Sequence, residues 1–220
     1  MPFVRVREHV NPLSRKFQVV TPAPKWSELF SQVDRPLHLD IGCGRGRFLL
    51  EMAQLQPNWN FLGLEIRQPL VDQANDWCQE QGLTNLYYLF CNANTSLRSL
   101  LASLPPASLY RVTIQFPDPW FKRRHQKRRV VQPEMVTDLA AAMVDRGAVL
   151  VQSDVLDVAR EMCDRFDANP LFQRVQIDWL ADNPLPIATE RELSTLKQGQ
   201  PVYRMVFTKV CLDPAILNHA

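Results

Sequence analysis

One short stretch of the chain places an acid in a rigid turn directly before a run of cations. Asp118 lies between Pro117 and Pro119, and six basic residues occupy positions 122–129. Each proline fixes its own φ and drives the preceding residue toward extended geometry, so the turn is stiff and aims the Asp118 side chain. An acid held beside a strongly cationic segment predicts chemistry on a polyanion.

The net positive charge of the protein is concentrated in that stretch. The 220 residues carry 25 Lys and Arg against 23 Asp and Glu, a formal net charge of +2, so the six cations leave −4 for the rest. Charge confined to one segment favours nucleic acid as the partner, with a solvated loop or a localisation signal as the alternative. The candidate phosphate contacts are Arg123, Arg124, Lys127, Arg128 and Arg129.

Apolar runs of strand length alternate with helical patterns along most of the chain. This alternation predicts an α/β fold with a parallel sheet and helices on both faces. No helix is predicted between the last two strands. The predicted strands are residues 37–41, 60–66, 86–91, 109–116, 148–153, 172–179 and 202–210, and the predicted helices are 47–56, 69–81, 95–104, 133–144 and 155–168.

Length and composition indicate one domain, residues 37–220, preceded by a basic N-terminal arm, residues 1–36. The chain is long enough to bury one sizeable core. The arm, with five prolines and no glycine, is either a second phosphate contact or a flexible leader. No apolar stretch approaches the roughly 18 residues that span a bilayer, and the start lacks the apolar centre of a secretory signal. A soluble, cytoplasmic protein is therefore expected.

The cysteines and histidines indicate neither a metal site nor a proton relay. Of the four histidines only His125 lies in the basic stretch, where it is either an RNA contact or a surface residue. The cysteines are odd in number, widely spaced and without a C-x-x-C pair, so they are expected to be reduced and packed. They are Cys43, Cys78, Cys91, Cys163 and Cys211.

A glycine-rich segment follows the first predicted strand and precedes a predicted helix. Glycines at this point let the backbone turn tightly and approach a ligand. The spacing of Gly42, Gly44 and Gly46 is G-x-G-x-G, and Arg47 stands where a dinucleotide fingerprint has its last glycine. That departure disfavours a dinucleotide oxidoreductase.

Polar residues at three strand ends match the parts of one cofactor. Glu65 ends the second predicted strand, where a carboxylate can accept both hydroxyls of a ribose. Asn92 and Ala93 follow the third strand, where an amide can hold an adenine. Asp40, just before the glycines, can pair with a cationic amino group. An adenosine with an ammonium group and no pyrophosphate describes S-adenosylmethionine, although each residue taken alone is also typical of a turn or a solvated acid.

With these motifs the chain resembles the bacterial tRNA (guanine-N7)-methyltransferases, a class I, Rossmann-like, S-adenosylmethionine-dependent family. The resemblance runs from Arg7-Glu8-His9-Val10-Asn11-Pro12-Leu13 to Tyr203, and its most specific part is Pro117-Asp118-Pro119-Trp120 followed by Lys122, His125 and Lys127-Arg128-Arg129. It implies a mostly parallel seven-stranded sheet with a last antiparallel strand. It also implies methyl transfer to N7 of a guanosine in the tRNA variable loop, at position forty-six.

The resemblance assigns roles to individual residues. It makes Asp118 the catalytic residue, between cofactor and target base, and gives Lys122 and Asp154 to substrate binding. Asn92 departs from the family, which commonly has an acid at that position. The implied cofactor-binding set is Asp40, Gly42, Gly44, Gly46, Glu65, Asn92, Ala93 and Asp118, with no metal.

A last motif near the C-terminus normally reads Thr-Lys-Phe-Glu in the family and contacts the target nucleoside. Here Thr189 and Glu192 are kept for substrate binding, whereas Glu190 and Arg191 depart in charge and shape. Thr189 and Glu192 also have the spacing of a helix capping box, a purely structural role.

Two rival functions and the assembly state stay open at this point. A class I methyltransferase acting on a small molecule or on another RNA atom would explain the glycines but leave the cations without a role. A non-catalytic RNA-binding protein with a vestigial cofactor fold would not bind S-adenosylmethionine. The sequence does not distinguish a monomer from a homodimer.

Overall fold

The computed structural model describes residues 4, 6 and 10–211 as a seven-stranded sheet flanked by helices. The strands lie in the order β3-β2-β1-β4-β5-β7-β6. β1 to β5 pair in parallel, and β7 runs antiparallel to both β5 and β6, as predicted. The strands are β1 (Leu37–Ile41), β2 (Asn60–Glu65), β3 (Leu86–Phe90), β4 (Leu109–Gln115), β5 (Met143–Ser153), β6 (Phe172–Arg174) and β7 (Tyr203–Lys209).

The described residues also form seven α-helices and two short 3-10 segments. The five helices that the sequence predicted are present, with ends that lie at most two residues from the predicted ones. The helices are α1 (Trp26–Leu29), α2 (Arg47–Leu55), α3 (Gln68–Glu80), α4 (Ala93–Ala102), α5 (Pro133–Ala142), α6 (Leu156–Asp167) and α7 (Glu190–Lys197), and the 3-10 segments are Arg15–Phe17 and Arg123–Arg128.

Both faces of the sheet are buried, which explains the nearly continuous apolar strands. Leu39 and Ile41 of β1 belong to the cluster that includes side chains of α4, α5 and α6. Phe61 of β2 and Tyr88 of β3 belong to a second cluster with α2 and α3. Successive residues of a strand point to opposite faces, so β2 and β3 contribute side chains to both clusters.

The neighbouring strands β1 and β4 create the crevice that positions the site. The chain leaves β1 toward β2 and leaves β4 toward β5, on opposite sides, so the strand order reverses between them. Open α/β sheets bind ligands at the carboxyl ends of the strands where this reversal occurs. The glycine segment follows β1 and the Asp118 turn follows β4, so the two sequence motifs meet there.

The sixth strand is shorter than predicted. Residues 172–179 were expected to be extended, but β6 ends at Arg174. The side chains of Val175 and Ile177 are 58% and 89% exposed, so this stretch buries little apolar surface. β6 is also the last strand of the sheet, with a partner on one side only. An apolar run at a sheet edge gains too little burial to extend the strand.

The prediction that no helix separates the last two strands was wrong. Helix α7 lies between β6 and β7, and its buried residues are the polar Glu192 and Thr195. Leu193 and Leu196 are exposed instead. The apolar periodicity that reveals a core-facing helix is therefore reversed in α7.

Part of the predicted N-terminal arm packs against the domain. Trp26 and Phe30 belong to the main hydrophobic cluster, and the Trp26 indole donates to the Ser103 carbonyl at 2.8 Å. The domain boundary at residue 36 stays a prediction. Of the motif that begins the family resemblance, residues 7–9 lie outside the described residues.

Candidate active site

Asp118 lies in a backbone turn held in an unusual conformation at both ends. Phe116 and Trp120 have φ of 49° and 43°, in the left-handed region that non-glycine residues rarely adopt. Such strained residues cluster at functional sites, where the surrounding structure holds them. Asp118 borders two cavities, a smaller one of about 150 Å³ and a larger one of about 570 Å³. The predicted catalytic acid therefore stands between two ligand-sized spaces.

The smaller cavity joins the strand ends with the N-terminal segment. Its apolar walls include Ile41, Leu64 and Ile66 from the first two strands and Val10 and Pro12 from the start of the chain. Apolar walls around a few polar groups are typical of small-molecule sites. The predicted cofactor residues that line it are Gly42, Glu65, Asn92, Ala93 and Asp118.

Asp40 is a buried carboxylate at the carboxyl end of β1. Its side chain accepts hydrogen bonds from the Thr113 hydroxyl at 2.6 Å and from the Gln115 amide at 3.4 Å. Burial raises the pKa of Asp40 to about 6, against the lowering effect of these two bonds. No Lys or Arg in the described part of the chain forms a salt bridge with it. A buried acid without a cation suits a ligand that brings its own ammonium group.

Glu65 is held by its neighbours at the carboxyl end of β2. Its Oε1 accepts from the Arg67 backbone N–H at 3.0 Å and from Arg67 Nε at 2.8 Å. Its Oε2 accepts from the Gly44 N–H and from Arg67 Nη2, both at 3.0 Å. These four bonds fill the acceptor capacity of the carboxylate. A ribose at Glu65, as predicted, therefore requires the guanidinium of Arg67 to move.

Of the three glycines in the segment, Gly46 is the one at which a side chain would clash with a neighbouring residue. It precedes α2 with φ of 78°, and a Cβ there would lie 2.6 Å from the Tyr88 ring. The Tyr88 hydroxyl also donates to the Gly46 carbonyl. This glycine packs the start of α2 against β3, so its role in a cofactor site is to shape the loop.

Asn92 uses its amide differently from the prediction. Its Nδ2 donates to the carbonyls of Pro12 and Phe17 at 3.1 and 3.0 Å, and its Oδ1 accepts from the Asn94 N–H at the start of α4. The side chain thus connects the N-terminal segment to the smaller cavity, and its amide already has hydrogen-bond partners where an adenine contact was expected. The acid common in the family could not donate these two bonds.

The larger cavity also borders Asp118. It is lined by the predicted cofactor residues Asp40, Gly44 and Gly46 and by the start of α7. Asp154, after β5, lines it on the same sheet edge as Asp118, as the parallel sheet predicts. Arg191 donates from Nε to Asp154 at 3.0 Å, and Arg47 pairs with Glu190 at 2.7 Å. Glu190 and Arg191, the two residues that depart from the family motif, therefore attach the start of α7 to the rim of the larger cavity through ion pairs.

Glu192 does not line either cavity, in contrast to its predicted substrate role. It is 1% exposed and pairs with the equally buried Arg204 at 2.7 Å. Gln152 donates to Glu192 at 3.1 Å and to Gln115 at 2.8 Å. Because Gln115 also contacts Asp40, a buried polar network runs from α7 to Asp40 at the carboxyl end of β1. Thr189 lines the larger cavity and caps α7 by accepting from the Glu192 N–H at 3.1 Å.

The basic stretch divides into exposed cations and structural ones. Arg123, Arg124 and Lys127 are exposed, in keeping with phosphate contact, and Lys122 is exposed before them. The remaining two fold back onto the Asp118 turn, which differs from the prediction. The Arg128 guanidinium lies 4.8 Å from the Trp120 ring centre and lines the smaller cavity.

Arg129 is the buried cation of the stretch, with 7% of its surface exposed. It donates from Nε to the Pro119 carbonyl at 2.8 Å and pairs with Glu161 of α6. The buried guanidinium of Arg129 is therefore unavailable to a phosphate, and it stabilises the Asp118 turn instead.

Sequence reasoning missed the residues that form hydrogen bonds with Asp40 and Glu65, the two acids predicted to bind the cofactor. Thr113 and Gln115 alternate with the apolar Val112 and Ile114 along β4, and this period of two could have indicated a polar face. Arg67 stands only two residues after Glu65, but nothing in the sequence indicates that it turns back onto that carboxylate.

Comparison with known proteins assigns the family. A family model described as a putative methyltransferase matches residues 34–205. Proteins named tRNA (guanine-N(7)-)-methyltransferase are similar over nearly their full length: one from Synechococcus elongatus is 62% identical over 97% of this chain and all of the relative. One from Trichormus variabilis is 59% identical over 96% of this chain and 98% of the relative. The chain belongs to the tRNA (guanine-N7)-methyltransferase family.

Solved structures show the same methyltransferase fold at low sequence identity. A precorrin-6y C5,15-methyltransferase from Geobacter metallireducens has a TM-score of 0.52 and 15% identity, covering 84% of each chain. An S-adenosylmethionine-dependent methyltransferase from Aquifex aeolicus has a TM-score of 0.54 and 11% identity, covering 83% of this chain and 92% of that one. The class I methyltransferase fold predicted from the sequence is confirmed.

The described residues contain neither a cluster of metal-ligand side chains nor a helix suited to crossing a membrane. Within this part of the chain, His, Cys, Asp and Glu side chains form no group of three or more that could hold a metal ion. None of its helices has the length and apolar character needed to cross a membrane.

Proposed function

We propose that the protein transfers a methyl group from S-adenosylmethionine to N7 of a guanosine in the tRNA variable loop, at position forty-six. The observation that carries this proposal is the place of Asp118, which borders both cavities of a class I methyltransferase fold. The membership of the tRNA (guanine-N7)-methyltransferase family supports the donor and the acceptor atom. With tRNA as substrate, the enzyme would act in the cytoplasm.

The donor set at the crevice fits S-adenosylmethionine. Asp40 offers a carboxylate without a protein cation to an ammonium group, and the smaller cavity offers apolar walls to an adenine. When bound, this cofactor supplies an electrophilic methyl group on a sulfonium. The residues of the chain bind and orient it, and Glu65 takes the ribose once Arg67 has moved.

Methylation of guanine N7 makes a modest demand on acid–base chemistry. N7 carries an in-plane lone pair and no hydrogen, so no strong general base is needed. The main task of the protein is to hold the reacting atoms in line. Asp118 can accept hydrogen bonds from guanine N1–H and N2–H, which orients the base and stabilises the positive charge that the purine gains.

We expect the affinity for S-adenosylmethionine to fall below about pH 6, by up to tenfold per pH unit. Only the ionised Asp40 attracts an ammonium group, and the pKa of Asp40 is raised to about 6, so the favourable form is lost as the pH decreases through that value. Calorimetric titration between pH 5 and 7.5 measures the dependence. An Asp40→Asn variant should bind weakly throughout and lose the acid-side dependence, and an identical pH profile in that variant would exclude Asp40 as the partner.

Neutralising the three exposed cations should weaken tRNA binding and its dependence on salt. An Arg123→Gln, Arg124→Gln, Lys127→Gln variant loses three phosphate contacts, so the slope of log K against log salt should become shallower by roughly two to three. Filter binding across a salt series measures the slope. The control is Arg160→Gln, an exposed cation on α6, which should leave it unchanged. An unchanged slope in the triple variant would reduce the stretch to a solvated loop.

A pair of tRNA transcripts that differ in one atom tests the acceptor. One carries guanosine at the target position and the other carries 7-deazaguanosine, which keeps the Watson–Crick edge but has no N7 lone pair. The proposal predicts methyl transfer to the first and none to the second. Equal transfer to both would place the acceptor at a different atom.

A further inference from the structure

Consecutive aromatic residues of the Asp118 turn border different cavities. Trp120 lines the smaller cavity, where Arg128 covers its ring and His125 contacts it edge-on, with ring centres 5.9 Å apart. Phe121 lines the larger cavity. The positive φ of Trp120, 43°, bends the chain between the two rings. Trp120 is therefore packed within the turn, whereas Phe121 faces the larger cavity, which Asp118, Asp40 and the glycine segment also line.

Phe121 is an aromatic ring presented to solvent inside a polar cleft. It is 72% exposed and makes no ring contact with the residues that the structure describes. The other side chains around the cleft include Asp118 and the ion pair of Arg191 with Asp154. An exposed aromatic ring beside Asp118 can stack on the flat face of a ligand in the same cavity.

A nucleobase supplies such a face. Enzymes that modify a base inside folded RNA must take it out of its stack, and the lost stacking is recovered on aromatic side chains. The exposed cations Arg123, Arg124 and Lys127 follow Phe121 within six residues, so the RNA backbone would be held close to the ring. Asp118, three residues before Phe121, offers hydrogen-bond acceptors to the edge of the same base.

We infer that Phe121 is the stacking platform for the target guanine in the larger cavity. Asp118 then accepts hydrogen bonds from the edge of the base while Phe121 stacks on its face. Together the two residues fix the plane in which N7 lies. Phe121 is a positioning residue, because it acts on the orientation of the base and not on the methyl group. The inference rests on the proposed function and names how that site holds its substrate.

Two variants of Phe121 test the inference. Phe121→Leu keeps an apolar side chain of similar bulk without a planar ring, and Phe121→Trp keeps an aromatic face. Stacking on an aromatic side chain is worth about 1–3 kcal/mol per base, so Phe121→Leu should reduce kcat/KM for tRNA by about fivefold to 150-fold. Phe121→Trp should stay within about threefold of the wild type. Calorimetry should give the same affinity for S-adenosylmethionine in all three proteins, and melting curves should coincide because the residue is exposed.

A fluorescent guanosine analogue at the target position of the tRNA supplies a readout that a merely structural role would not change. Its emission should be quenched by the wild type and by Phe121→Trp but not by Phe121→Leu. Wild-type kinetics and quenching in Phe121→Leu would overturn the inference while leaving the proposed function standing. Failure of the wild type to methylate tRNA would instead overturn the proposed function.

Discussion

Replacing Asp118 by Asn is expected to reduce methyl transfer to tRNA by about a hundredfold to a thousandfold. The variant keeps the size of the side chain but removes the negative charge, and one of its two terminal atoms becomes a donor facing the donors of guanine. Losing one electrostatic group aimed at the developing charge typically has an effect of this size on kcat. Single-turnover kinetics with saturating cofactor and tRNA measure it.

The Asp118 variant also separates chemistry from binding and folding. Asp118 is only partly buried, at the end of a turn that Arg129 braces through the Pro119 carbonyl, so its replacement should leave the melting temperature close to that of the wild type. Binding of S-adenosylmethionine should persist, because Asp40 and Glu65 are unchanged. Near-normal turnover in Asp118→Asn would remove this residue from the catalytic role.

Replacing Glu192 by Ala is expected to destabilise the protein by about 3–5 kcal/mol. The change leaves the guanidinium of Arg204, which is 3% exposed, without its buried partner. The Gln152 and Asn183 amides lose an acceptor in the same step. For a chain of this length the melting temperature should fall by roughly 6–20 °C. Thermal denaturation followed by circular dichroism measures the shift.

Glu190 provides the matched control for that experiment. It lies two residues earlier on α7 and pairs with Arg47, but its side chain is 53% exposed. An exposed ion pair contributes about 0–1 kcal/mol, so Glu190→Ala should melt within a few degrees of the wild type. If Glu192→Ala kept the wild-type melting temperature and lost only tRNA affinity, Glu192 would be the substrate contact that the family motif implies.

The parts of the fold that the sequence predicted are those set by local patterns. The apolar runs gave five of the seven strands within one residue of their observed ends, whereas β5 begins five residues earlier than predicted and β6 ends five residues earlier. The glycines and Asp118 marked the two loops that meet at the crevice. Local signals are strong there because the central strands β1 and β2 are buried along their whole length and each turn needs a particular residue type.

The parts that the sequence did not reveal depend on contacts between distant residues. Asn92 donates to a carbonyl 80 residues earlier, and Arg129 pairs with Glu161 of another helix. Neither partner can be chosen from composition or spacing, because any exposed acid or carbonyl is an equally good candidate until the chain has folded. Helix α7 was missed for a related reason, since its buried face carries Glu192, whose partners Gln152 and Arg204 lie on β5 and β7.

The most direct measurement maps the methyl group that the protein transfers. The wild type and Asp118→Asn are incubated with labelled S-adenosylmethionine and with bulk tRNA from cells that lack 7-methylguanosine. The tRNA is then digested, and the labelled nucleoside is identified and located. The proposed function predicts label in 7-methylguanosine of the variable loop, at position forty-six, with little in the variant. Label in another nucleoside or another loop, or equal label from both proteins, would contradict it.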